Sequence, residues 1–257
     1  MTIEGDRYIV ATDLSEAWAD AITLVSTQPS RKAVHVLVRI LDPAHETPAI
    51  RQIAQDSIDI WNGSRGRKKL PDIVTTRNTI FPAAFAGRTA GPEALAAYYR
   101  DRYSKAGLLG FKNNERGTYF GRVVAYPRPA GGAPGDQLSD TVRKLRQELA
   151  GQRPKSSRYE INIYHEATDR SPMSFPCLAH LSVHLHEHRL HLQAIYRNES
   201  LVSRAYGNFL GLAQLQCYIA DAVGIAPGEL LVTAGHIELE GTARFVQNMV
   251  AKIASQS

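Results

Sequence analysis

Phe175–Gly228 reads FPCLAHLSVHLHEHRLHLQAIYRNESLVSRAYGNFLGLAQLQCYIADAVGIAPG, and the order of elements within it decides the fold. Residues 178–197 alternate apolar and polar side chains about a polar break near His186–Arg189, the pattern of a β-hairpin that turns there. Residues 208–224 are apolar nearly all round, which belongs to a helix enclosed by a sizeable domain. The Pro-Gly segment at 225–229 is expected to close that helix with a turn. Single reactive or polar residues stand at the junctions of these elements. Cys177 follows a proline, Arg197 closes the hairpin twenty positions on, and Asn208 opens the helix eleven beyond that.

Each of these residues has a plain reading and a chemical one. A cysteine among apolar neighbours is an inert core thiol unless positive charge lies close enough to favour its thiolate. A hairpin would bring Arg197 to the sheet edge that Cys177 occupies. Arg158 flanks a strand in the same way, and two guanidiniums converging on one phosphate make paired, charge-assisted contacts. Asn208 is either a helix N-cap or an amide that reads a base edge with one donor and one acceptor. Nucleophile, anion binder and amide reader, in that order, are what a phosphorylated pyrimidine would need. Cys217, inside the apolar helix, is expected in the core. His180, His184, His186, His188 and His191 crowd the hairpin, but a metal site needs three or four converging ligands. With Glu187 and Arg189 at its tip, that hairpin is expected to show a polar, exposed face, and no metal is assigned.

Working outward, residues 13–26 form a capped amphipathic helix with Asp13 or Ser15 as the cap, and 33–41 are β-rich up to Asp42-Pro43. A helix is expected over 48–61, a basic, glycine-punctuated loop over 63–69 and a helix over 92–103. Residues 116–126 carry strand character, 127–135 are too rich in Pro and Gly for regular structure, and 136–151 form an amphipathic helix. A strand over 158–165 precedes the hairpin, a further strand follows over 229–241, and a terminal helix covers 248–257. This is a mixed α+β chain of 257 residues, long enough to bury a real core as a single domain. Its composition, 44% hydrophobic and 21% charged, is that of a globular protein. No apolar run reaches the roughly 18 residues of a membrane span, and residues 1–18 lack a signal peptide's pattern, so a cytoplasmic location with reduced thiols is expected. The net charge of +5 favours anionic partners. Its basic residues are scattered, so a nucleotide accounts for the excess and nucleic acid is not expected.

From Arg158 to Gly228 the chain resembles thymidylate synthase and its relatives, the dCMP and CMP hydroxymethylases. The resemblance implies a thymidylate synthase-like α+β fold, with a mixed sheet and a long buried helix, assembled as a sheet-mediated homodimer. It implies that Cys177 adds to C6 of a pyrimidine nucleoside monophosphate and that C5 then attacks a one-carbon unit carried by 5,10-methylenetetrahydrofolate. Arg197 falls on the phosphate arginine of the same subunit and Arg158 on one donated by the neighbouring subunit. Asn208 falls on the residue that reads the base. Tyr119-Phe120-Gly121 stands near the family's Tyr-Gly, offset by one. The chain departs from the pattern at Leu178, which follows the cysteine in place of histidine, and at Ser157-Arg158, which replaces an arginine pair. After Arg197 come Asn198, Glu199 and Ser200, without the family's serine and aspartate. Glu238 and Glu240 take the places of the histidine and tyrosine that hold the sugar 3′-hydroxyl, which implies an altered sugar. The family's His-Glu-Leu-Leu-Trp helix has no evident counterpart; Glu93 is the only glutamate in the region expected to carry it, and Tyr98 and Tyr99 stand for the folate-stacking tryptophans. An inactive or repurposed nucleotide-binding protein on the same scaffold is the competing expectation.

Overall fold

The computed structural model describes residues 7–105, 117–128, 132–151, 159–171 and 175–256. Seven strands form one mixed sheet: β1 (Tyr8–Ala11), β2 (Lys32–Ile40), β3 (Tyr159–Asn162), β4 (Leu178–His186), β5 (Arg189–Tyr196), β6 (Glu199–Ser200) and β7 (Ala226–Glu238). In space they run β1-β2-β7-β5-β4-β3, and β6 adds to β7. β1 is parallel to β2 and β5 to β7, while β2–β7, β4–β5 and β3–β4 are antiparallel. The hairpin turns where the alternation breaks, with Glu187 and His188 both at positive φ between β4 and β5.

The described helices are α1 (Leu14–Ser26), α2 (Pro48–Gly63), α3 (Ile73–Ile80), α4 (Ala83–Ala86), α5 (Pro92–Lys105), α6 (Tyr119–Val124), α7 (Gln137–Ala150), α8 (Tyr206–Val223) and α9 (Ala243–Ala254). Asp13 caps α1 by accepting the N–H groups of Ser15 and Glu16, and Asp136 caps α7 through Ser139. α8 is buried along most of its length, between α3 on one side and β5 and β7 on the other. Gly207 and Gly211 face α3 and permit that approach: a Cβ on Gly207 would stand 2.6 Å from Thr76 Cβ, and one on Gly211 2.8 Å from Ile80 Cβ. The sheet face away from α8 carries a cross-strand row, Tyr8–Leu37–Thr233–Ile195, in which Tyr8 and Ile195 are exposed.

Several sequence expectations change. Residues 119–124 are helix rather than strand, because Thr118 caps the Gly121 N–H and Phe120, Val123 and Val124 share the one inward face that a helix offers. The helix ahead of Pro227-Gly228 is closed by Gly224, whose φ of 73° ends α8, and Pro227 and Gly228 already belong to β7 opposite Leu190. The terminal helix starts at Ala243, with Thr242 accepting from Phe245 N–H, five residues before the expected start. Cys217 is half-buried rather than core. The loop segment 129–131 and residue 116 lie outside the described residues.

Candidate functional site

A cavity of about 690 Å³ opens where β4 begins, β5 ends and α8 starts. The hairpin closes it as the sequence implies. Leu178 pairs with Tyr196, and one step further out the Arg197 N–H donates to the Cys177 carbonyl at 2.9 Å. The Arg197 Nε then donates to the Pro176 carbonyl at 2.8 Å, which holds the guanidinium over the segment carrying the thiol. Between β5 and α8 the chain makes β6 and then a π-helical turn, Leu201–Ala205. That turn puts Glu199, Arg204 and Asn208 on the cavity wall with Cys177 and Arg197.

The electrostatics pull in both directions. Burial pushes the Cys177 thiol up, Arg197 pulls it down, Glu199 pushes it up and Arg204 pulls it down, and it ends above its ordinary value. Glu199 is 2% exposed and lies between the Asn208 amide, whose Nδ2 donates to its two oxygens at 2.9 and 3.3 Å, and the Ser200 N–H. Burial holds its carboxyl up to about 8, with Glu240 adding to the rise and Asn208, Ser200 and Arg204 opposing it. The Asn208 Oδ1 is buried and has no protein hydrogen-bond partner among the described residues. Asn208 is therefore not an N-cap, since Ala205 holds that position; it sits inside the first turn of α8 and aims an amide at the cavity. Tyr119 lines the same wall, its ring against Phe175 with centroids 5.1 Å apart, and burial pushes its hydroxyl up.

Glu238, expected near a sugar, also lines the cavity, with Lys32, Asn198 and His236. Glu238 accepts from Ser200 Oγ at 3.2 Å and lies 3.7 Å from Lys32 Nζ. His236 Nδ1 is 2.6 Å from Asn198 Oδ1. Glu240 does not line this cavity: its carboxylate takes the Val202 and Ser203 N–H groups at 2.8 and 3.2 Å, so it secures the π-helical turn. Arg158, with Ser157, lies outside the described residues. Tyr98 packs edge-on against Phe85, and Tyr99 is buried with its hydroxyl 2.6 Å from Thr118 Oγ1; neither reaches the Cys177 cavity. Tyr99 instead lines a second hollow of about 430 Å³ with Arg100 and Arg122, which meets the first at Gly117 and Thr118. Glu93, in the first turn of α5, lines neither space. The hairpin histidines are spent locally: His180 lies between Asn162 and Glu160, and His184 opposes His191. Among the described residues no group of three or more His, Cys, Asp or Glu converges as a metal site would need, and no helix is long and apolar enough to cross a membrane.

Sequence reasoning passed over Glu199, Arg204, His236 and Lys32. One signal was available for the first two: they are the two charged residues between Arg197 and Tyr206, in a junction otherwise apolar or neutral.

Compared with known proteins, residues 6–247 match the family described as thymidylate synthase. Two similar relatives are the thymidylate synthases of two strains of Cereibacter sphaeroides, 25% and 24% identical over 193 residues. Those alignments cover 74% of this chain and 57% of each relative, so the chain spans little more than half the length of the proteins it matches.

Proposed function

The chain belongs to the thymidylate synthase family, and from that premise we propose that it transfers a one-carbon unit to C5 of a pyrimidine nucleoside monophosphate, acting as a single domain within a homodimer. The observation that carries this reading is the convergence of Cys177, Arg197 and Asn208 on one cavity wall from three different elements. The Cys177 thiolate adds to C6 of the base, which places the electron pair at C5. C5 thereby becomes the nucleophile toward the one-carbon unit that a bound folate would supply, with a hydride as well if the product is a methyl group. Loss of the C5 proton, release of the carrier and expulsion of the Cys177 thiolate from C6 would then restore the ring. Arg197, with Arg158 of a partner subunit, holds the phosphate, and Asn208 holds the base. Arg197 and Arg204 already oppose the burial that raises the thiol in the free protein.

The residues present fit the one-carbon donor, 5,10-methylenetetrahydrofolate, which when bound supplies the transferred carbon. The second hollow adjoins the first, offers the Tyr99 ring as a wall, and is lined by Arg122, whose Nη2 is paired with Asp169 at 2.8 Å while its buried Nη1 has no hydrogen-bond partner among the described residues. Glu238 beside Ser200 supplies an acceptor for a sugar hydroxyl. The exposed row through Tyr8 and Ile195, on the sheet face opposite α8, is the surface we assign to the dimer.

A second reading, a nucleotide-binding protein without turnover, draws on the raised Cys177 thiol. Tritium release from C5-labelled dUMP, dCMP, UMP and CMP, with and without methylenetetrahydrofolate, separates the two. Release by the native protein that vanishes in Cys177→Ala supports transfer and names the substrate. Nucleotide binding with no release from any of the four would replace transfer by the second reading.

A further inference from the structure

Glu199 is a buried carboxyl that the steps above leave unused. It touches no guanidinium or ammonium within ion-pair distance among the described residues, yet it lines the cavity 2.9 Å from the amide expected to read the base. Resting on the nucleotide reading above, we propose that Glu199, as a carboxylic acid, and Asn208 read the base together, the acid supplying an O–H donor and the Asn208 Oδ1 the acceptor beside it. The pair then selects a pyrimidine whose 3,4-edge sets one donor next to one acceptor.

The amide orientation follows from its neighbours. Both Glu199 oxygens lie within reach of the Asn208 nitrogen, and the Ser200 N–H points at the same carboxyl. That arrangement turns Nδ2 toward Glu199 and leaves Oδ1 for the cavity, where it is buried without a partner. An orphaned buried acceptor is unfavourable, so a ligand N–H at that point is favoured. A neutral carboxyl needs only one oxygen to accept from Asn208, which leaves its O–H free to donate to a base in the cavity that both residues line. Every charged group facing Glu199 acts in this balance: Glu240 beyond β7 disfavours its anion, Arg204 in the π-helical turn favours it, and Cys177, Tyr119 and Tyr196 are neutral acids crowded against it. With the carboxyl held up to about 8, the acid is the main species at neutral pH. Above that, carboxylate and Oδ1 become two acceptors side by side, which match neither a uracil nor a cytosine edge.

Equilibrium binding of CMP and UMP to the Cys177→Ser protein, which has no thiol titrating at the site, tests this. The pH series uses CMP, whose base has no proton to lose between pH 7 and 9. CMP affinity is expected to fall about tenfold from pH 7 to pH 9, following the loss of the Glu199 proton. Glu199→Gln, whose amide always offers an N–H donor and still accepts from Asn208, is expected to bind as the parent does at pH 7 and to be flat with pH. Glu199→Met is expected to bind more than tenfold more weakly than the parent does at pH 7, with no change between pH 7 and pH 9. A pH profile in Glu199→Gln that matches the parent, or Glu199→Met binding that matches it, would overturn this inference while leaving the nucleotide reading standing. Failure of the parent to bind either nucleotide would overturn that reading and this inference with it.

Discussion

At the N-terminal end of α8 the amide of Asn208 gives its nitrogen to Glu199 and keeps a buried oxygen for the cavity. Two turns on, the amide of Gln216 gives its nitrogen to the carbonyls of Leu190, Gly228 and Glu229, stapling the helix to β5 and β7 at 2.8–3.1 Å. The thiols repeat the contrast. Two guanidiniums, Arg197 and Arg204, pull the Cys177 thiol down, whereas the charged group acting on Cys217 is Asp42, which pushes its thiol further up. Burial is common to both ends. Both amide oxygens are buried without a partner among the described residues; what differs is that Asn208 lines the cavity, a space that a ligand can fill, whereas Gln216 does not and its nitrogen is held by the fold's own backbone. A buried polar group therefore marks function where its pairing is left incomplete toward a cavity.

The thiols break this comparison most sharply. Cys177→Ser is expected to lower C5 tritium release at least ~10³-fold, and Cys217→Ser to leave it unchanged. Equal losses would place the nucleophile elsewhere. Next in size is the pH dependence of stability. The Glu199 carboxyl is held near 8 in the folded chain against 4.5 when unfolded. The stability it lends is complete below pH 4.5 and lost as pH rises to about 8, a change of order 5 kcal/mol that urea melts across this range measure and Glu199→Gln removes. Glu240, also raised by burial, acts with the same sign.

Between the two ends, Gly211→Val drives a side chain into Ile80 and the Arg77 carbonyl, 2.8 and 2.9 Å from where its Cβ would stand. It is expected to cost ~3 kcal/mol in urea denaturation, because both neighbours belong to the packed α3. Smallest is the staple itself. Gln216→Leu leaves three buried carbonyls short of a donor and should cost ~2 kcal/mol of stability with nucleotide affinity unchanged, while Asn208→Leu should do the reverse. If Gln216→Leu weakens binding as Asn208→Leu does, the two ends are not functionally distinct.

Much of the C-terminal half was legible because its signals are local. Alternation over 178–197 marked the hairpin and its turn, and the hairpin alone implied that Cys177 and Arg197 would meet, as the Arg197 N–H to Cys177 carbonyl bond shows. Asp13 could be read as a cap because an N-cap acts within one turn. The middle of the chain was less legible. Residues 119–124 carry β-type side chains, yet Thr118 and three inward apolar residues make them α6, a choice settled by what they pack against. The strand Tyr8–Ala11 is only four residues long and too short for its alternation to stand out, and it exists because β2 supplies its partner.

The sequence by itself determined the α+β class, the hairpin, the buried helix, and the order of thiol, arginine and amide along the chain, since each depends on residues within a few turns of one another. Only the tertiary structure decided that Glu240 would secure a turn instead of facing the cavity, that Tyr99 would line a neighbouring hollow, and that Glu199 would be a buried acid beside an unpaired amide oxygen. Those outcomes depend on dielectric and on partners brought from β4, β7 and α8 at once. A carboxyl's burial, and with it its charge, belongs to the assembled wall and not to its position in the chain.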